Sequence, residues 1–275
     1  MKFSILNKEI VKSDEIKLSD TNRGYLYGDG FFETVKIFNS KLFNFKNHFQ
    51  RISRSIKLLD LESNFSMSEL ENMIIKIIDK NKIKDGSVRV TIYRDASGKY
   101  LPESNKTSFH IVSSIDDKNL FILNNDPLSL DIYNENCKAA SDLSNIKSLN
   151  SLLYVLASIY ANKNNLDDVL IINSNNDIIE STNSNLFIFL DNMIYTPPLS
   201  DGCVDGSMRR LIIDILEKKY TVSIQSISEE QVLSSNEVFL TNAISGVKSV
   251  GSIGKMNYNR SSVSKYLIGS LNSLI

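Results

Sequence analysis

Arg23-Gly24-Tyr25-Leu26-Tyr27-Gly28-Asp29-Gly30-Phe31-Phe32-Glu33-Thr34 is the stretch on which the fold turns. Its first half belongs to a glycine- and polar-rich run, Asp20 to Gly30. Its second half opens an apolar strand, Phe31–Phe38. Just beyond it, Asn39-Ser40 is a turn signal, and Leu42–Phe45 returns from it. Upstream, Phe3–Ile5 and Glu9–Val11 flank Asn7-Lys8 as a β-hairpin. Downstream, apolar residues at Phe49, Ile52, Ile56 and Leu59 keep a helical spacing over His48–Leu61. A second helix is expected near Ser68–Asn81, with Ser68 as its N-cap. Strands at Ser87–Arg94 and Ser108–Ile115 complete an α+β half.

Asp116 to Asp126 is polar and runs into Asn124-Asn125-Asp126-Pro127, the pattern of a linker. The expected organisation is therefore a small α+β domain over 1–115, a linker over 116–126 and a larger domain over 127–275. The second half begins with strand Leu128–Tyr133, followed by helix Ser148–Asn162 and strand Val169–Asn173. A turn at Asn175-Asn176-Asp177 leads to Ile178–Glu180 and strand Asn185–Leu190. Helix Gly206–Tyr220, strand Val222–Ile227, a short helix near Ser228–Leu233, strand Glu237–Thr241 and helix Ser261–Leu274 follow. No internal repeat is visible.

The totals exclude several classes. The chain has 275 residues, 42% hydrophobic and 23% charged, which is enough for a large core. With 31 basic and 32 acidic residues the net charge is −1, and no nucleic-acid surface or polybasic membrane patch is expected. Two cysteines, Cys137 and Cys203, argue against a disulfide scaffold and for a reducing cytoplasm. Two distant histidines, His48 and His110, give no metal-site pattern. The N-terminus lacks a signal-peptide core. The apolar stretch Leu152 to Ala161 is too short to span a membrane. The abundant asparagines read as loop decoration.

The chemistry-bearing candidates begin with Lys147, in Ile146-Lys147-Ser148-Leu149-Asn150. Most lysines are solvated charges, but apolar neighbours draw this amine out of water, which lowers an ammonium pKa and frees a nucleophile. Glu180, just after an apolar strand, is in isolation a surface group or a cap. Arg51 offers a rigid fork for a phosphate, against the plainer reading of a surface salt bridge. Gly202-Cys203-Val204-Asp205-Gly206-Ser207-Met208-Arg209 precedes a helix, and glycines before a helix start expose backbone N–H groups to an anion. Thr241-Asn242-Ala243 is a turn with further donors. Arg94, Lys99 and Tyr100 lie in Arg94-Asp95-Ala96-Ser97-Gly98-Lys99-Tyr100, which reads as a hairpin tip with solvated charges.

Taken together and in order, these motifs resemble the class IV (fold-type IV) pyridoxal phosphate enzymes. Arg23–Thr34 is similar to that family's "RGxxYGDGxFET" run, and the likeness extends from about residue 2 to 255. The family contains branched-chain and D-amino acid aminotransferases and 4-amino-4-deoxychorismate lyase. The resemblance implies a two-domain α+β fold: a small α+β domain and a larger α/β pseudo-barrel, D-amino acid aminotransferase-like. It implies pyridoxal 5′-phosphate as cofactor, a small-molecule amino substrate and a homodimer. Residue by residue, it makes Lys147 the Schiff-base and catalytic lysine and Glu180 the acid facing the pyridine nitrogen. Arg51, Ser207 with Met208, and Asn242 with Ala243 become phosphate-side positions. Tyr27, Phe32, Arg89, Arg94 and Tyr100 fall on the substrate side.

The resemblance also bears on the reaction. Aminotransferases of the family usually carry Ile-Thr where this chain has Ser207-Met208, whereas a Met-Arg pair and an Asn-Ala turn are features of the lyases. Branched-chain enzymes have tyrosine where this chain has Leu152. Arg89 corresponds to a branched-chain enzyme arginine, although lyases also hold basic residues there. The resemblance therefore implies a lyase that converts 4-amino-4-deoxychorismate to 4-aminobenzoate and pyruvate, in folate biosynthesis. The alternative is an aminotransferase acting on branched-chain L-amino acids or on D-amino acids.

Overall fold

A computed structural model describes residues 2–17, 19–259 and 261–275. The chain divides into two compact units, each treated separately below: residues 1–119 with 146–150, and residues 120–145 with 151–275.

The first unit contains strands β1 (Phe3–Leu6) and β2 (Glu9–Lys12), helix α1 (Arg23–Tyr27), and strands β3 (Gly30–Phe38) and β4 (Lys41–Leu42). Helices α2 (Phe45–Leu58) and α3 (Met67–Lys80) and strands β5 (Gly86–Arg94) and β6 (Thr107–Ile115) complete it. The strands form one antiparallel sheet in the order β2-β1-β6-β5-β3-β4. Strict alternation drives its two faces apart. Val88, Val90 and Ile92 are fully buried while Arg89 between them is exposed. The buried face joins Phe31, Val35, Phe109 and Ile111 to Ile52, Ile56, Ile74 and Ile77 of α2 and α3. The cap of α3 is Ser66 rather than the expected Ser68. Ser66 and Glu69 have the three-residue spacing of a capping box, and both of its hydrogen bonds form.

The asparagine bias has a backbone use. Asn7, Asn39, Asn44, Asn165, Asn176 and Asn192 all have positive φ, where asparagine is tolerated better than other side chains. Asn44 in that conformation starts α2 at Phe45, three residues before the expected His48.

The second unit contains β7 (Leu128–Lys138), α4 (Asp142–Asn145), α5 (Leu152–Lys163), β8 (Asp168–Asn173), β9 (Ile178–Ser181), β10 (Asn185–Leu190) and β11 (Met193–Thr196). It continues with α6 (Ser207–Leu216), β12 (Thr221–Ile224), α7 (Glu229–Leu233), β13 (Glu237–Asn242), β14 (Gly246–Ile253), β15 (Met256–Asn257) and α8 (Ser262–Asn272). The sheet runs β12-β11-β10-β13-β14-β7-β8-β9, and β9 pairs back to β10 through Glu180 and Asn185. Six strands thus close a ring, the barrel-like sheet expected of this half. Leu130, Leu170, Leu186, Val238 and Val250 fill one core of this unit, and Tyr133, Ala157, Val169 and Ile171 another.

Candidate active site

In the first unit, Lys147 does not head a helix, contrary to the expectation from its apolar surroundings. Residues 146–150 run along β3: Phe31 bridges Ser148, the Phe32 N–H donates to Lys147 O at 2.9 Å, and the Leu149 N–H donates to Gly30 O at 3.1 Å. Helix α5 starts only at Leu152. This pairing also assigns the lysine segment to the first unit, a departure from the contiguous division at 116–126. The Lys147 amine lies 4.6 Å from the centre of the Phe32 ring, and the Arg89 guanidinium stacks 3.7 Å from the same ring. Phe32, Arg89 and Lys147 are therefore gathered together.

Arg51 sits on α2. Its Nε donates to Glu33 Oε1 at 2.5 Å and its Nη2 to Glu33 Oε2 at 2.8 Å, while His48 Nδ1 is 2.7 Å from Oε2. All three residues are buried. Burial by itself raises the Glu33 pKa, but the charge and hydrogen bonds of Arg51 and the bond to His48 outweigh it and bring the carboxyl to about 2. Arg51 is thus a desolvated cation in a fixed orientation, not a surface salt bridge. No sequence signal marks Glu33 or His48 as partners of Arg51.

Arg94 is a correction. It is buried, and its guanidinium binds Asp29 at 3.0 Å, Leu59 O at 2.6 Å, Asp60 O at 3.3 Å and Asn105. Arg23 also binds Asp29, at 2.7 Å, and holds Gly98 O and Lys99 O at 3.0 and 2.6 Å. These two arginines scaffold the loop instead of facing a substrate. The loop carries Tyr100, which is 90% exposed, with its ring 5.8 Å from that of Tyr27.

In the second unit, Glu180 on β9 is 3% exposed and collects three donors. Lys138 Nζ donates to its Oε1 at 2.6 Å and Tyr154 OH to the same oxygen at 2.8 Å; the Val204 N–H donates to Oε2 at 2.8 Å. No sequence signal marks Lys138 at the end of β7 or Tyr154 on α5. Burial first, then the facing Glu180 carboxylate, pushes the Tyr154 phenol far above its ordinary value, so it stays a donor. Burial and Glu180 likewise push the Cys203 thiol up to about 12, which leaves it inert as a nucleophile.

Ser207 and Met208 open α6, and no side chain caps that helix at Gly206. A Cβ on Gly206 would meet Asn185 Oδ1 at 2.0 Å, so only glycine permits this close approach. Arg209, also in the first turn, is 4% exposed and its Nε has no partner. Asn242 builds the other turn: its Oδ1 accepts from the N–H groups of Ile244 and Ser245, at 3.0 and 2.8 Å, and its Nδ2 donates to Ser184 Oγ at 2.9 Å. Ala243 follows it. Among the described residues, no group of three or more His, Cys, Asp or Glu side chains is arranged for a metal. No helix among them is long and apolar enough to cross a membrane.

The paired elements, the closed ring and the clusters of buried charge define a two-unit α+β enzyme scaffold. The sequence profile of the class IV amino-transferases matches residues 30–253, and the chain belongs to that family. It is 30% identical to a D-alanine aminotransferase of Staphylococcus aureus (strain N315) over 258 residues, 89% of each chain. A Legionella pneumophila protein provisionally assigned as a 4-amino-4-deoxychorismate lyase superposes with a TM-score of 0.87 at 25% identity, covering 95% of this chain and 97% of that one. The branched-chain aminotransferase of the archaeon Thermoproteus uzoniensis, solved with norvaline, has a TM-score of 0.90 at 20% identity, covering 98% and 93%.

The cofactor of this family is pyridoxal phosphate, and a branched-chain aminotransferase of the same fold is solved with its amine form, pyridoxamine 5′-phosphate. The residues present in this chain fit it. The donor set comprises an amine beside an aromatic ring, a buried carboxylate, a desolvated arginine and an uncapped helix start with an unpartnered Arg209 Nε. Amines, carboxylates and guanidinium or helix N–H donors are the kinds of group that bind an aldehyde, a ring nitrogen and a phosphate.

Proposed function

We propose that this chain is a 4-amino-4-deoxychorismate lyase that forms 4-aminobenzoate and pyruvate. Met208 carries the reading. It lies 2% exposed at the head of α6, where it offers an anion its N–H but no hydroxyl. The Asn242-Ala243 turn, the pair that resembles the lyases, supports the same choice; its shape is set by Asn242 Oδ1, which accepts from the Ile244 and Ser245 N–H groups.

When bound, pyridoxal phosphate supplies an electron sink for the carbon bearing the substrate amine. Lys147 would hold the cofactor through its amine, and that amine would serve as general base for the proton on that carbon. Glu180 accepts the N–H of the ring nitrogen. Arg51, the N–H groups of Ser207 and Met208, and the Asn242-Ala243 turn hold the phosphate. Arg89 and Phe32 face the substrate, with Tyr27 and Tyr100 at its rim. With that proton gone, the ring carbon–oxygen bond on the neighbouring carbon breaks, the ring becomes aromatic, and the side chain leaves as the enolate of pyruvate, which takes a proton to become pyruvate.

A second reading, D-amino acid aminotransferase, is favoured by the 30% identity to the D-alanine enzymes. One pair of assays separates them. The lyase reading expects 4-aminobenzoate from 4-amino-4-deoxychorismate and negligible conversion of the cofactor to its amine form by D-alanine. Efficient conversion by D-alanine without 4-aminobenzoate would replace it with the second reading.

We also infer a homodimer. Leu152, Val155, Leu156 and Ile159 of α5 are 69%, 50%, 41% and 46% exposed and form one helical stripe, the kind of apolar surface a partner covers. The two free cysteines, Cys137 and Cys203, support a cytoplasmic setting.

A further inference from the structure

We propose that Lys138 and Tyr154 are positioning residues that occupy Glu180 Oε1 and leave Oε2 as the oxygen that receives an N–H from the ligand. The inference rests on the reading that Glu180 faces the cofactor ring nitrogen. A carboxylate oxygen has two acceptor positions. Both positions of Oε1 are taken, by Lys138 Nζ at 2.6 Å and Tyr154 OH at 2.8 Å. Oε2 takes only the Val204 N–H, at 2.8 Å, among the contacts described.

The three donors come from β7, α5 and the loop before α6, so the carboxylate is fixed in direction as well as in place. Lys138 ends β7 beyond a register shift that follows Tyr133, and its Nζ is also tied to Ser144 O at 2.9 Å. Tyr154 lies in the first turn of α5, with its ring 5.3 Å from the same Nζ. Lys138 is 11% exposed and Glu180 3%, so water does little to screen the pair or to replace a lost donor.

Removing one donor therefore releases the carboxylate to rotate and splits its lone pairs between internal and external partners. A residue that merely filled space would alter folding but not the environment of the bound ring.

The test is a titration of apoprotein with pyridoxal phosphate, read as affinity and as the visible circular-dichroism band of the bound cofactor. It uses Tyr154→Phe, Lys138→Met, Lys138→Arg and Glu180→Gln. Tyr154→Phe and Lys138→Met are expected to lower affinity about three- to tenfold each and to shift the band. Lys138→Arg restores both readouts. In a Glu180→Gln background, Tyr154→Phe adds nothing further. Should Lys138→Met fail to fold, the near-isosteric Tyr154→Phe decides alone. A wild-type affinity and band in Tyr154→Phe, alongside a changed Glu180→Gln, overturns the proposal but spares the reading of Glu180. An unchanged Glu180→Gln overturns that reading and the proposal with it.

Discussion

Glu33 is fully buried, and its charge is tolerable only because Arg51 and His48 answer it. Removing one member leaves the others uncompensated, so Glu33→Gln is expected to cost about 3–5 kcal/mol in urea denaturation. The same variant should weaken cofactor binding, because Arg51 loses its fork partner. The pH dependence follows from the sign of the shift. The folded pKa is depressed from 4.5 to about 2, so the contribution is complete above 4.5 and is lost as pH falls toward 2. Denaturation midpoints measured across that window should fall more steeply in the wild type than in Glu33→Gln; parallel curves would remove Glu33 as the source. Arg94 shows why residue type alone misleads. An arginine at a loop looks like a substrate ligand, yet four acceptors bind this one within the scaffold.

At the scale of elements, local signals and distant ones separate. The alternation of β5 and the capping box of α3 are written in adjacent residues. Ser66→Ala is accordingly expected to cost about 1 kcal/mol, read as a lower melting temperature. By contrast, α8 is capped from β13. Glu237 is fully buried and accepts from Val263 N–H at 3.0 Å, Ser264 N–H at 2.8 Å and Ser264 Oγ at 2.7 Å. Glu237→Ala orphans those donors and should cost about 3 kcal/mol or more, with hydrogen exchange rising first in α8. The stripe on α5 makes a different forecast. Val155→Asp with Ile159→Asp should yield a monomer by light scattering, whereas an unaltered mass would move the dimer contact elsewhere.

Across the full chain, the sequence shows most of the elements and the ordered motifs, because periodicity and turn chemistry are local. It does not show what non-local pairing decides. Ile146–Asn150 reads as the start of an apolar helix until the backbone of Gly30 and Phe32 is seen to pair with it. Nothing near Glu180 announces that Asn185 closes the ring beside it, or that Lys138 and Tyr154 reach the same carboxylate oxygen. The groups that make Arg51 and Glu180 what they are come from other elements, so composition and spacing cannot reveal them. The proposed reaction depends on all of these groups together. It is best tested by supplying purified protein, loaded with pyridoxal phosphate, with 4-amino-4-deoxychorismate and measuring both products. A lyase yields 4-aminobenzoate and pyruvate in equal amounts, and neither in Lys147→Ala; absence of 4-aminobenzoate from the loaded wild-type protein, or its undiminished formation by Lys147→Ala, would contradict the assignment.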